Sequence, residues 1–242
     1  MAARHWRHGL TIRRRLAERR PGIRAALRAA SPDSVLLAGN SHAEFLGTLD
    51  FGTRPSLNLG IGRGTAADWA AYLASLRVPV RCAASVLIIG TNDILRWRHP
   101  ERRRIQDRFE ADTRRILRVL DAWSAQVYVA AIPPIGAWAT GRDPAAVAVF
   151  SDRLAALCAE RGCRFFDPFA TLRAGDAGFA GAGLSRDGVH LADYTRLAAE
   201  IVRLVDLDLI PSGLRAHRTA DPPPEPADGL YALPAAAWGV LP

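Results

Sequence analysis

Apolar residues in this chain come in short unbroken blocks, and each block ends abruptly in polar residues. Residues 34–39 read Ser-Val-Leu-Leu-Ala-Gly and run into Asn40-Ser41-His42, while residues 85–90 read Ser-Val-Leu-Ile-Ile-Gly and run into Thr91-Asn92-Asp93. Comparable blocks lie at 56–61, 126–132 and 164–167. Unalternated runs of this length read as strands buried on both faces. Between them the period changes. Over 101–121, Ile105, Phe109, Ile116, Leu117 and Leu120 recur about one helical turn apart among arginines and acids, which predicts an amphipathic helix. Weaker helical patterns cover 65–77, 144–161 and 191–206. Strands alternating with helices predict an α/β fold built on a mostly parallel five-stranded sheet covered on both faces. The run at 56–61 is short enough to be either an edge strand or a loop.

Patterning stops near residue 210. Pro222-Pro223-Pro224-Glu225-Pro226 and the Ala/Pro stretch that follows read as an extended tail over 211–242, in which Leu230, Tyr231 and Trp238 are available for docking. At 242 residues and 49% apolar content the chain can bury a full core. No apolar run approaches the roughly 20 residues of a membrane span, and the N-terminus lacks the apolar stretch of a signal peptide, so the expected compartment is the cytoplasm. The three cysteines, Cys82, Cys158 and Cys163, lack metal-ligand spacing and read as reduced thiols. The six histidines form no ligating cluster, so neither metal nor cofactor is expected.

Charge divides the chain differently. All 32 basic residues are arginine, and the formal net charge is +8. Residues 1–30 hold nine arginines and one acid, Glu18, which gives 9 − 1 = +8; the remaining 23 arginines and 23 acids cancel. A near-neutral domain over 31–210 is therefore preceded by a basic arm over 1–30. Such an arm is suited to weak contact with anionic surfaces, and Trp6, Leu10 and Leu16 could give it an apolar face. A solvated leader helix explains the same residues, and a charge run alone predicts no specific nucleic acid.

The polar islands carry the chemistry. In open parallel sheets, sites form beyond the carboxyl ends of the strands. Ser41 follows the first strand, the glycine-bearing loop 60–64 the second and Asn92 the third, while Asp187-Gly188-Val189-His190 opens the last predicted helix. Together these are a nucleophile, an amide donor and an acid–histidine pair. Each has a plainer explanation alone: Asn40-Ser41 as a helix cap, Asn92-Asp93 and Asp187-Gly188 as turns, His190 as a satisfied surface histidine.

Four blocks, in order, resemble the SGNH hydrolase superfamily, the GDSL-type esterases and lipases. They are Gly39-Asn40-Ser41, the loop Asn58-Leu59-Gly60-Ile61-Gly62-Arg63-Gly64-Thr65, Gly90-Thr91-Asn92-Asp93 and Asp187-Gly188-Val189-His190. The resemblance implies a flavodoxin-like three-layer α/β/α sandwich and a serine hydrolase mechanism. Ser41 would be the nucleophile, His190 the general base and Asp187 its orienting acid. The oxyanion hole would comprise the Ser41 N–H, a loop N–H at Gly62 or Arg63 and the Asn92 amide. The chain departs from the family in having Asn40 for the usual aspartate, and Arg63 where a glycine most often sits, so that Gly64 also competes for the loop donor. Asn40 and His42, on either side of the nucleophile, read as substrate-side or structural residues.

The family covers simple esters, thioesters, lysophospholipids and acetylated sugars. Trp97 and Trp138 suit a sugar or an acyl group, with loop packing as the alternative. No lid-like apolar insertion is visible, which favours a small acetyl-like acyl group on a small-molecule or glycan ester. An O-acyltransferase acting through the same acyl-serine, and a catalytically vestigial surface-binding protein, remain as alternatives.

Overall fold

Five strands form one wholly parallel sheet in the order β2-β1-β3-β4-β5: β1 (Val35–Gly39), β2 (Ser56–Asn58), β3 (Cys82–Ile88), β4 (Ser124–Ala130) and β5 (Arg164–Phe166). The computed structural model describes residues 2–175 and 178–209; the predicted tail over 211–242, with Leu230, Tyr231 and Trp238, lies outside them, as does the side chain of Trp6. The short second run is an edge strand. It pairs Val35 with Ser56 and Leu37 with Asn58, after which the chain leaves the sheet for the glycine loop.

Successive side chains of a strand point to opposite faces, and the two cores divide accordingly. Leu36, Ala38, Leu87 and Val129 face α3 (Ala66–Leu73), α4 (Arg103–Trp123) and α5 (Ala145–Arg161). Val35, Leu37, Val86 and Tyr128 face α2 (Ser41–Phe45) and α6 (Thr195–Leu209). This is a three-layer α/β/α sandwich. Among the described residues no helix is long and apolar enough to cross a membrane.

From β1 the chain turns outward to β2 on one side, then crosses to β3 on the other. The strand order therefore reverses between β1 and β3, and ligands bind at the carboxyl ends beside such a reversal. Ser41 and Asn92 follow those two strands. Gly39 makes the junction tight: its φ is +134°, and a β-carbon there would fall inside the Ile88 carbonyl, so only glycine fits.

The arginine-rich segment is one long helix, α1 (Ala2–Arg28), lying against the domain. Ile12, Ile23 and Leu27 are buried in the same core as α3 and α4, and Leu16 packs beside them, while Leu10 stays exposed. Its polar residues grip the loop after β2. Arg19 Nε donates to Gly60 O at 3.1 Å and Nη2 to Asn58 Oδ1 at 3.2 Å. Arg15 pairs with Glu44 of α2, and the His8 ring lies 3.1 Å from the Asp68 carboxylate, part of the Thr65–Asp68 capping box of α3.

If α1 is a core element, truncating its buried face should destabilise the whole domain. Ile23→Ala is expected to cost about 2–5 kcal/mol in urea denaturation, whereas exposed Arg24→Ala should stay within about 0.5 kcal/mol of wild type. Equal, small effects would show that the helix adds nothing to the core.

Candidate active site

Ser41 is the first residue of α2, so its backbone N–H has no intrahelical partner. Asn40 caps that helix, its Oδ1 accepting from His42 N–H at 3.0 Å. An asparagine oxygen serves this bond as an aspartate oxygen would; its Nδ2, fully buried, has no hydrogen-bond partner among the described residues.

The Asp187–His190 pair arrives from the far end of the chain. These residues do not open a helix, as the sequence pattern predicts, because Gly188 takes a φ of +81° and α6 begins only at Thr195. Asp187 instead organises a turn, its Oδ1 accepting from Val189 N–H at 2.9 Å and His190 N–H at 2.7 Å. Its other oxygen, Oδ2, lies 2.6 Å from His190 Nδ1. A carboxylate only accepts, so Nδ1 carries the proton and Nε2 is left as an acceptor. Nε2 is 2.9 Å from Ser41 Oγ, and the hydroxyl donates to it. Burial opposes the Asp187 charge, but the ring N–H and two backbone N–H bonds outweigh it and hold the carboxyl down to about 2.

A cavity of about 310 Å³ opens over this chain of bonds, lined by Ser41, Gly62, Arg63, Asn92, Arg142 and His190 among others. Of the three loop donors left open by the sequence, Gly62 N–H is occupied by Glu44 Oε2 at 2.6 Å. Gly64 does not line the cavity; its carbonyl accepts from Asn92 Nδ2 at 3.1 Å. Arg63 remains. Its φ of +70° is unusual for a residue with a β-carbon, and its backbone N–H has no acceptor among the described residues.

The other expected substrate contacts lie elsewhere. His42 is fully buried, 2.9 Å from Tyr194 Oη through Nδ1. Burial, then the nearby His190 and Arg142 charges, push its ring down to about 3. Asn40 is likewise buried, Trp97 borders a separate cavity beside α4, and Trp138 is exposed and stands against Gly136 and Gly188. None of the four lines the serine cavity.

Glu44 and Arg142, which sequence reasoning passes over, do line it. Glu44 stands one helical turn after Ser41 and links α1 to the glycine loop. Arg142, from the loop after β4, donates through Nε to Thr91 O at 2.9 Å and through Nη2 to Asn92 Oδ1 at 3.1 Å. The i, i+3 relation of Glu44 to Ser41 is a usable signal; nothing in the sequence near Arg142 distinguishes it from the other arginines.

The reversal of strand order at β1 and β3, with the four polar blocks gathered on that rim, defines an SGNH-type ester hydrolase. The chain belongs to the GDSL-like Lipase/Acylhydrolase family, whose pattern matches residues 34–194, and is an ester hydrolase of that family. No curated protein matches it. Solved structures do, at low identity, and these show the shared fold. A GDSL-like lipase from Bacteroides thetaiotaomicron is 16% identical with a TM-score of 0.61, over 75% of this chain and 94% of the other. An acetylxylan esterase from Geobacillus stearothermophilus is 18% identical with a TM-score of 0.54, over 76% and 98%. A carbohydrate acetylesterase from Sinorhizobium meliloti is 18% identical with a TM-score of 0.52, over 72% and 98%.

Asp93, next to Asn92, supplies a pH test of this packing. Both its oxygens accept from Ala66 N–H at 3.1 Å. Burial pushes its carboxyl up to about 7, against the pull of that bond and of Arg98. The folded state thus holds a proton that the unfolded chain releases near pH ~3.9, and stability from this group is lost as pH rises from about 4 to about 7. His42 acts oppositely. Its folded pKa lies below the unfolded value, so its protonation destabilises as pH falls below about 6.5, and the two partly cancel in wild type. Asp93→Asn removes one of them. Relative to wild type it should gain stability steadily between about pH 4 and about pH 7 in urea denaturation; a pH-independent difference would show that Asp93 is ionised in the fold.

Proposed function

We propose that this hydrolase is a serine esterase that removes a small, acetyl-like acyl group from a small-molecule or carbohydrate-linked ester through an acyl-serine intermediate. The observation that carries the proposal is the unbroken run from Ser41 Oγ to His190 Nε2, at 2.9 Å, and from His190 Nδ1 to Asp187 Oδ2, at 2.6 Å.

In this reaction Ser41 Oγ attacks the ester carbonyl carbon as its proton passes to His190 Nε2. Asp187 stabilises the imidazolium that forms and fixes the tautomer that can accept. The carbonyl oxygen becomes an oxyanion met by the Ser41 and Arg63 backbone N–H groups and by the Asn92 amide. The tetrahedral intermediate collapses, the C–O bond to the alcohol breaks, and His190 Nε2–H protonates the departing oxygen. Water then attacks the acyl-serine with His190 again as base. The carboxylic acid leaves, and Ser41 regains its proton.

The acyl and alcohol assignments have separate supports. The cavity of about 310 Å³ lies at the small end of ligand pockets. Two structural relatives bear the names acetylxylan esterase and carbohydrate acetylesterase.

Hydrolysis of p-nitrophenyl esters by the purified chain tests the reading. Acetate should be turned over faster than octanoate, and acetylated xylan should release acetate. Ser41→Ala should lose on the order of 10⁴ in kcat or more, together with labelling by a fluorophosphonate probe. Full turnover in folded Ser41→Ala would refute the mechanism. Arg63→Gly separates backbone from side chain at the loop donor. It should keep kcat within about threefold while gaining about 0.5–1 kcal/mol, since glycine meets a positive φ without strain. A loss of about a hundredfold, the scale of a missing transition-state contact, would instead place the Arg63 guanidinium in the chemistry.

A further inference from the structure

Asn92 can serve an oxyanion only if its amide turns nitrogen, not oxygen, toward the cavity. The two ends of a primary amide are nearly the same shape, so packing alone does not choose between them. Arg142 does. A guanidinium carries donors only, and Nη2 donates to Asn92 Oδ1 at 3.1 Å. Were the amide turned over, its NH2 group would face those donors, N–H against N–H. The orientation that satisfies Arg142 also lets Nδ2 donate one hydrogen to Gly64 O at 3.1 Å and leaves the second for the cavity that Asn92 and Arg142 both line.

The guanidinium is held in turn. Nε donates to Thr91 O at 2.9 Å. Around it, backbone bonds knit the loop after β4 to the loop after β3: Arg96 N–H to Gly141 O at 3.0 Å and Asp143 N–H to Ile94 O at 2.9 Å, with Leu95 and Arg142 paired in an antiparallel bridge. Among the described residues no carboxylate forms an ion pair with Arg142, and Asp187 acts on it only through space. A half-buried cation without a bonded counter-charge is costly to keep, and such groups concentrate at functional sites.

We propose that Arg142 is a positioning residue for ester hydrolysis: its guanidinium fixes the Asn92 amide with nitrogen toward the oxyanion and holds it there through the reaction. The proposal rests on the serine-esterase reading above.

A double-mutant cycle on the full chain, with p-nitrophenyl acetate as substrate, tests it. Asn92→Ala should lose about 10²–10³ in kcat. Arg142→Met, which fills similar space without donors, should lose about 10–100-fold in kcat with KM within about twofold, because the ground-state ester does not need the aimed amide. The double variant should be no slower than Asn92→Ala alone, because Arg142 acts through Asn92. Arg142→Lys offers a donor without the fork and should recover part of the loss. If Arg142→Met does not fold, the same cycle is run with Arg142→Lys, whose loss should likewise vanish in the Asn92→Ala background. A merely structural Arg142 would lower the Tm and multiply its loss onto that of Asn92→Ala. That result, or an Arg142→Met kcat within about twofold of wild type beside a crippled Asn92→Ala, overturns the proposal and leaves the esterase reading standing. Full turnover in Asn92→Ala overturns both the oxyanion assignment and the role built on it.

Discussion

The backbone bond from Asn40 N–H to Ile88 O, 3.0 Å long, ties the end of β1 to the end of β3, and the geometry of the site follows from it. The bond forms because Gly39 has no β-carbon to meet the Ile88 carbonyl. With those strand ends locked side by side, the residues that follow leave the sheet together. Ser41 enters α2 and Asn92 enters the next loop, each already beside the cavity. Gly60 repeats the device from the second loop, where a β-carbon would fall inside the Glu44 backbone. Close approach of three loops at one sheet edge is thus a property of particular glycines before it is a property of any reactive side chain.

Electrostatics then fixes what sterics brings together. Glu44 holds Gly62 N–H and is countered by Arg15 of α1. Arg19 reaches across from the same helix to Gly60 O and to the Asn58 carbonyl and side chain. The basic segment therefore braces the glycine loop, and with Gly62 N–H occupied, Arg63 is the residue on the cavity wall whose N–H the proposed mechanism uses. Positive charge that looks like a surface property in the composition serves here as a set of directed bonds to carbonyl oxygens and one carboxylate.

How much of this is legible in the sequence depends on how local the signal is. The strands are legible because a residue buried on both faces must be apolar, and the blocks at 34–39, 85–90 and 126–132 fall on β1, β3 and β4. Ser41 and Asn92 stand out because they interrupt such blocks. The packing of α1 is not legible: Ile12, Ile23 and Leu27 are few and widely spaced among nine arginines, and whether so thin an apolar stripe is buried depends on the surface it meets. Asp187–His190 reads as the start of a helix because the i, i+3 spacing suits either a helix or a turn, and Gly188 at φ +81° decides it. Arg142 is illegible for a different reason. It meets Asn92 across 50 residues of chain, through a loop whose course is set by tertiary packing.

The two histidines near Ser41 show why burial matters to the proposed chemistry. Their rings lie 5.6 Å apart, close enough for a charge on one to oppose a charge on the other. His42 avoids the conflict, because its burial holds it neutral down to about pH 3 while Tyr194 Oη occupies its Nδ1. His190 can then take the Ser41 proton and become an imidazolium without a second charged imidazole beside it, facing the Asp187 carboxylate on its other nitrogen. A polar but solvated residue at position 42 would leave His190 in wetter surroundings, where its bonds to Ser41 and Asp187 are weaker. The residue beside the proposed nucleophile therefore contributes by staying uncharged, and its burial is the condition of that role.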